Sequence, residues 1–153
     1  MPRVALDSDA PEIQQWLLDF GLVTTLAKLR KRWRSRNTNG ERSYIAAIEP
    51  GLGYAEAHMR ISDIKISSIF PEGVDVKLLK PSLAKVLQRA ARTRDLNTPV
   101  WARFFGGKDE NGVPDGGKSK CEAWHALYPK TRIIPPDEPG GLWEIRAVLG
   151  ELL

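Results

Sequence analysis

The apolar period changes twice along this chain, and that alternation limits what it can fold into. From Asp9 to Arg36 apolar residues recur every three or four positions, the spacing of a helix face. Ile13, Trp16, Leu17 and Phe20 make one stripe, and Leu22, Leu26, Leu29 and Trp33 a second. From Ser43 to Leu79 much of the pattern shortens to every second residue, as in half-buried strands. After Pro81 the helical period returns with Leu83, Val86, Leu87 and Ala90. Two periods in separate blocks imply an α+β fold.

Local signals set the boundaries. Asp9 can cap the first helix with Glu12 three residues on, and Gly21 is a natural stop. The second helix is expected from about Leu22 to Arg36, before the turn Asn37–Gly40. Strands are expected at Ser43–Glu49, at His58–Phe70 with a break at Ser62-Asp63, at Gly73–Leu79 and at Pro99–Phe105. Helices are expected from Pro81 to Arg94 and from Lys120 to Tyr128. The C-terminal LWEIRAVLGELL fits both periods and is read as a helix. The result is a single domain, 1–153, with a mixed or antiparallel sheet of about four strands and four to five helices. A glycine-rich loop (106–119) and a Pro/Gly-rich connector (134–141) interrupt it.

With 153 residues and a net charge of +4, the chain can bury a core and favours anionic partners. One cysteine, Cys121, excludes an internal disulfide and fits a reducing compartment. The first residues lack the apolar segment of a signal peptide, and no run is long enough to span a membrane. A cytoplasmic location is therefore expected; the oligomeric state is left open.

The charges are unevenly placed. Arg30, Lys31, Arg32, Arg34 and Arg36 follow Lys28 with no acid before Glu41, and Lys85, Arg89 and Arg92 line a second helix face. One-signed faces suit nucleic-acid phosphates. A surface neutralised by acids from elsewhere in the fold is the plainer alternative. The aromatics do not decide the matter. Trp16 and Trp33 lie on apolar stripes, and Trp101, Phe104 and Phe105 belong to or border a strand. Tyr54, in the turn-rich EPGLGYAEA, is the ring most expected to be exposed.

Three further groupings carry chemistry. GVPDGGKS, residues 112–119, spells the phosphate-loop pattern G-x-x-x-x-G-K-[ST]. The preceding strand ends too early and too little chain follows, so the match is read as accidental. Lys118 and Ser119 remain candidates for a phosphate of a larger ligand. Second, Asp63 at a strand break precedes Asp75-Val76-Lys77 on the next expected strand. Two carboxylates could hold magnesium, and the lysine could stabilise charge on phosphate. The order α-β-β-β-α-β over about 22–105 resembles the core of PD-(D/E)xK nucleases, with Ser62 where the motif has its proline. That resemblance implies Asp63 and Asp75 as metal ligands and Lys77 as the charge stabiliser. Third, Cys121 and His125 share a helix face, but two ligands make no metal site.

The sequence thus points first to a small, non-enzymatic nucleic-acid-binding protein without cofactor or metal. A magnesium-dependent nuclease and an adaptor or inhibitor docking an acidic protein are the alternatives.

Overall fold

The computed structural model describes residues 2–69, 74–104 and 106–153. Their strands are β1 (Arg3–Val4), β2 (Tyr44–Glu49), β3 (Gly53–Met59), β4 (Ile64–Ile69), β5 (Pro99–Phe104), β6 (Arg132–Ile134) and β7 (Trp143–Val148). The α-helices are α1 (Ala10–Asp19), α2 (Leu26–Arg34), α3 (Lys80–Ala90) and α4 (Lys118–Leu127). All seven strands join one sheet in the order β1-β2-β3-β4-β5-β7-β6. Every neighbouring pair is antiparallel except β4 and β5, which run parallel. The mixed sheet and the α+β class stand, but the expected count of about four strands is corrected to seven.

Both faces of the sheet are buried over much of its width. Ala55, Ala57, Met59, Ile64, Ile66, Val100, Ala102 and Phe104 pack with α3 and α4. Ile48, Tyr54 and Ile69 pack on the opposite side with Ile13, Trp16, Leu29 and Trp33 of α1 and α2. A strand buried on both faces loses the apolar-polar alternation that marks it in a sequence.

This double burial explains most corrections to the expected elements. The break at Ser62-Asp63 belongs to the turn of a hairpin, with Met59 opposite Ile64. The arm before it, β3, lay hidden in EPGLGYAEA. Residues 76–79 form a short 3-10 helix, capped by the Asp75 carboxylate accepting from the Lys77 N–H at 2.9 Å, so the expected strand there is corrected. Phe70, Gly73 and Phe105, at the ends of expected strands, lie outside the described residues. The C-terminal segment is β7 followed by a 3-10 turn at Leu149–Leu152, not a helix, because Ile145 and Ala147 alternate into the core. Helix α2 starts at Leu26, where Thr25 Oγ1 accepts from the Lys28 N–H at 3.1 Å. Among the described residues, no helix is long and apolar enough to cross a membrane.

Candidate active site

The parallel pair holds the feature that most resembles a site. Strands β4 and β5 pair only at Ile64 with Val100 and at Lys65 with Trp101. Both strands continue, to Ile69 and Phe104, without further pairing to each other. They therefore part like the arms of a V, each arm held from outside by an antiparallel neighbour, β3 or β7. The inner edges of the arms carry backbone N–H and C=O groups with no ladder partner across the gap.

A cleft of about 500 Å³ occupies this gap. Lys65 to Ile69 of β4 form one wall and Ala102 to Phe104 of β5 the other. Residues 74–76 and Ser119, Lys120, Ala123 and Trp124 of α4 close its side, with Phe20 and Leu142 also lining it. Three cations, Lys65, Arg103 and Lys120, and one acid, Asp75, line the cleft, with Arg103 paired to Glu144 at 3.0 Å. Burial pulls the Lys120 ammonium below the usual lysine range, with Asp115 opposing; its Nζ lies 4.6 Å from the Phe20 ring centre.

The start of α4 is shaped by the glycine-rich loop. Gly117 has φ +99°, and a Cβ there would sit 2.4 Å from the Phe104 carbonyl oxygen, so only glycine lets the loop lie against β5. Asp115 accepts from the N–H groups of Gly117 at 3.1 Å and Ser119 at 3.0 Å. Burial works to raise its carboxyl pKa, but these hydrogen bonds hold it below the usual carboxylate range. Two N–H groups of the phosphate-loop-like motif thus already serve the motif's own aspartate. Lys118 Nζ lies 5.7 Å from the Trp143 ring centre.

One strand behind the cleft, β3 carries a buried carboxylate. Tyr54, Glu56 and His58 face α2, while Ala55, Ala57 and Met59 face the other core. Glu56, opposite Ser67 of the cleft wall, is 5% exposed. Its Oε1 accepts from the Tyr54 hydroxyl at 2.8 Å, which itself accepts from Trp33 Nε1 at 2.9 Å. Arg32 Nη1 lies 3.4 Å from Glu56 Oε2. Burial lifts the Glu56 carboxyl above the usual range, although Arg32 and Tyr54 pull it back. Burial first, and then the cations Arg60, Lys65 and Arg32, hold His58 below the usual imidazole range; its ring stacks on Tyr44 at 4.3 Å.

Of the residues singled out in the sequence, Ser119 and Asp75 reach the cleft lining, and most of the others lie elsewhere. The cations of α2 meet internal acceptors: Arg30 donates to the Asp7 carbonyl, Arg34 pairs with the Asp7 carboxylate and Arg32 with Glu56. Arg36, beyond the helix, donates to the Gly40 carbonyl at 2.8 Å. Lys31 is exposed on α2, while Lys85, Arg89 and Arg92 sit on or just after α3, outside the cleft lining. Asp63 pairs with Arg60 at 3.1 Å in the hairpin turn, and Asp75 caps the 76–79 turn, so no acid-x-Lys strand lies beside Asp63. Among the described residues no three His, Cys, Asp or Glu side chains gather to hold a metal. Tyr54, expected to be exposed, is buried. Glu56 was missed because its segment reads as a turn, yet Tyr54-x-Glu56-x-His58 against Ala55-x-Ala57-x-Met59 is a period-two signal.

No protein-family model and no curated relative matches the chain. Solved structures do. A mutant form of a spermidine N-acetyltransferase from Vibrio cholerae superposes with a TM-score of 0.62 at 8% identity, over 99% of this chain and 95% of that one. An acetyltransferase of the GNAT family from Staphylococcus aureus gives 0.60 at 13% identity, over 97% and 98%. The fold is that of the GNAT acetyltransferases. A further Vibrio cholerae structure with this fold is described as dodecameric, with 9% identity and a TM-score of 0.62.

This finding corrects the functional expectation. The solved structures named above, which share the fold over nearly the whole chain, are acetyltransferases, and the basic helix places much of its charge against Asp7 and Glu56. The readings as nucleic-acid-binding protein, as magnesium-dependent nuclease and as adaptor for an acidic protein surface are set aside, and with them those partners.

Proposed function

We propose that the chain is an N-acetyltransferase that moves an acetyl group from acetyl-CoA to the amine of a small molecule. The observation that carries this reading is the parting of β4 and β5 around a cleft in a GNAT fold. The donor's pantetheine arm is an extended chain with two amides. Unpaired strand edges bind such a chain as they bind a peptide strand. The lining cations, Lys120 at the start of α4 above all, suit the phosphates of the donor.

Acetyl-CoA supplies a thioester carbonyl open to attack by a neutral amine. The chain's own part is to hold the acceptor at the closed end of the V and to remove its proton. Glu56 is the candidate proton acceptor. Its raised pKa makes it a better base than a solvated carboxylate, and it stands directly across from Ser67 in the cleft wall. The Ser67 hydroxyl or one water spans the remaining strand. The proton taken from the amine is balanced by the one returned to the departing thiol.

The test is a thiol-release assay over a panel of amines, with product mass confirmed. Glu56→Gln keeps the shape and loses the base, so kcat is expected to fall about 100-fold or more, with the KM for acetyl-CoA unchanged. Full activity in Glu56→Gln removes the base assignment. No thiol release with any amine, together with no binding of acetyl-CoA, removes the reading.

A further inference from the structure

Beside the closed end of the V lies a row of residues of which only Lys65 belongs to the cleft lining. The register places His58, Lys65, Trp101, Arg146 and Arg132 opposite one another across β3, β4, β5, β7 and β6, hence on one face. Helices α1 and α2 lie over β4 and β2 on this face. Toward β5, β7 and β6 the face opens, and Arg103, Arg146 and Arg132 are exposed.

Trp101 is the centre of this open area. The Arg60, Lys65 and Arg103 cations lie 5.5, 5.3 and 5.0 Å from its ring centre. Cations of one sign drawn around one indole also repel each other, unless acids intervene. Two do. Asp63 pairs with Arg60, and Glu144 is shared by Arg103 at 3.0 Å and Arg146. Four cations (Arg60, Lys65, Arg103, Arg146) thus face two carboxylates, leaving two positive charges. Adding Arg32 with Glu56, or Arg132 with Glu151, leaves this balance unchanged. Lys65 has no ion-pair partner among the described residues. Arg146 and Arg132 stand directly opposite each other, a like-charge pairing that costs stability.

We infer that this Trp101-centred basic face is the acceptor site, and that the acceptor is a small amine carrying a carboxylate or phosphate. This rests on the acetyl-transfer reading and names the substrate class for it. The anion sits against Arg146 and Arg132, which stand opposite each other outside the cleft lining, while the amine points to the end where β4 and β5 meet. The donor's phosphates lie at the other end, where the strands are apart and α4 begins, so they do not account for this face. A polyamine, the acceptor named for the Vibrio cholerae structures, is a polycation and meets net repulsion here.

The experiment compares spermidine, glutamate and phosphoethanolamine as acceptors for the full chain, after calorimetry has established acetyl-CoA binding. At least one anionic amine should exceed spermidine roughly tenfold or more in kcat/KM. Arg146→Gln with Arg132→Gln, both exposed, outside the cleft lining and leaving Arg103 paired with Glu144, should raise the KM for that acceptor about tenfold and leave the KM for acetyl-CoA unchanged. The same variant should narrow the gap to spermidine. If acetyl-CoA binds but spermidine is preferred, or none of the three is acetylated, the inference is overturned while the donor cleft stands. A rise in the acetyl-CoA KM alone assigns the cations to the donor and also overturns it. Absence of acetyl-CoA binding removes the underlying reading and the inference with it.

Discussion

Replacing Tyr54 by Phe removes one oxygen from the middle of a buried chain. That hydroxyl accepts from Trp33 Nε1 at 2.9 Å and donates to Glu56 Oε1 at 2.8 Å. Two hydrogen bonds are lost, each worth about 1 kcal/mol net, and the indole N–H is left buried and unpaired at a further cost of about 1–2 kcal/mol. The expected total is about 3–4 kcal/mol. At about 2–4 °C per kcal/mol for a domain of this size, Tm should fall on the order of 10 °C.

The pH dependence gives a sharper test. The Glu56 carboxyl titrates above its unfolded value because burial disfavours the charge. Stability from the neutral form is therefore present in acid and lost as pH rises from the unfolded range to the folded value. The Tyr54 hydroxyl opposes that loss by bonding the carboxylate, so its removal lifts the folded value further and widens the window. Tyr54→Phe should cost more at about pH 8 than at about pH 4.5, read as the wild-type-minus-variant difference in urea unfolding at each pH. A difference independent of pH, or a total below about 0.5 kcal/mol, refutes the reasoning that this hydroxyl holds the charge.

Other expectations are simpler to state. Gly117→Ala places a methyl 2.4 Å from the Phe104 carbonyl oxygen at a positive φ, so it should lower stability by about 3 kcal/mol or more, seen as a loss of Tm. Cys121 is fully buried and its thiol is pushed up to about 11 by burial, so a disulfide reagent at about pH 8 should label it only after unfolding. Rapid labelling of the native chain would contradict the packing of α4 against β7.

What could be read from the residues follows from where the periods stay clean. The stripes of α1 and α3 each face one core, so their spacing survives in the sequence. The strand β3 does not read so clearly. It opens on glycine, is rich in alanine and carries a glutamate into the interior, all marks of a turn when met alone. The segment 142–153 places Leu142, Ile145, Leu149 and Leu152 at helical spacing by coincidence, while Ile145 and Ala147 alternate into the core. The basic run of α2 looked like a docking face because Asp7 and Glu56, which neutralise part of it, are distant in the chain. The cleft is less legible still. It exists because β4 and β5, more than 30 residues apart, run parallel and then separate, a long-range relation that no local pattern records.

The central claim is that this separation receives the donor. Isothermal titration of acetyl-CoA into the full chain tests it most directly, alongside Ala123→Trp, which places an indole in the cleft wall beside Trp124. The expected result is one-to-one binding by the wild type and none by the variant, whose far-UV spectrum should be unchanged. No heat from the wild type, or equal binding by a folded Ala123→Trp, would contradict it.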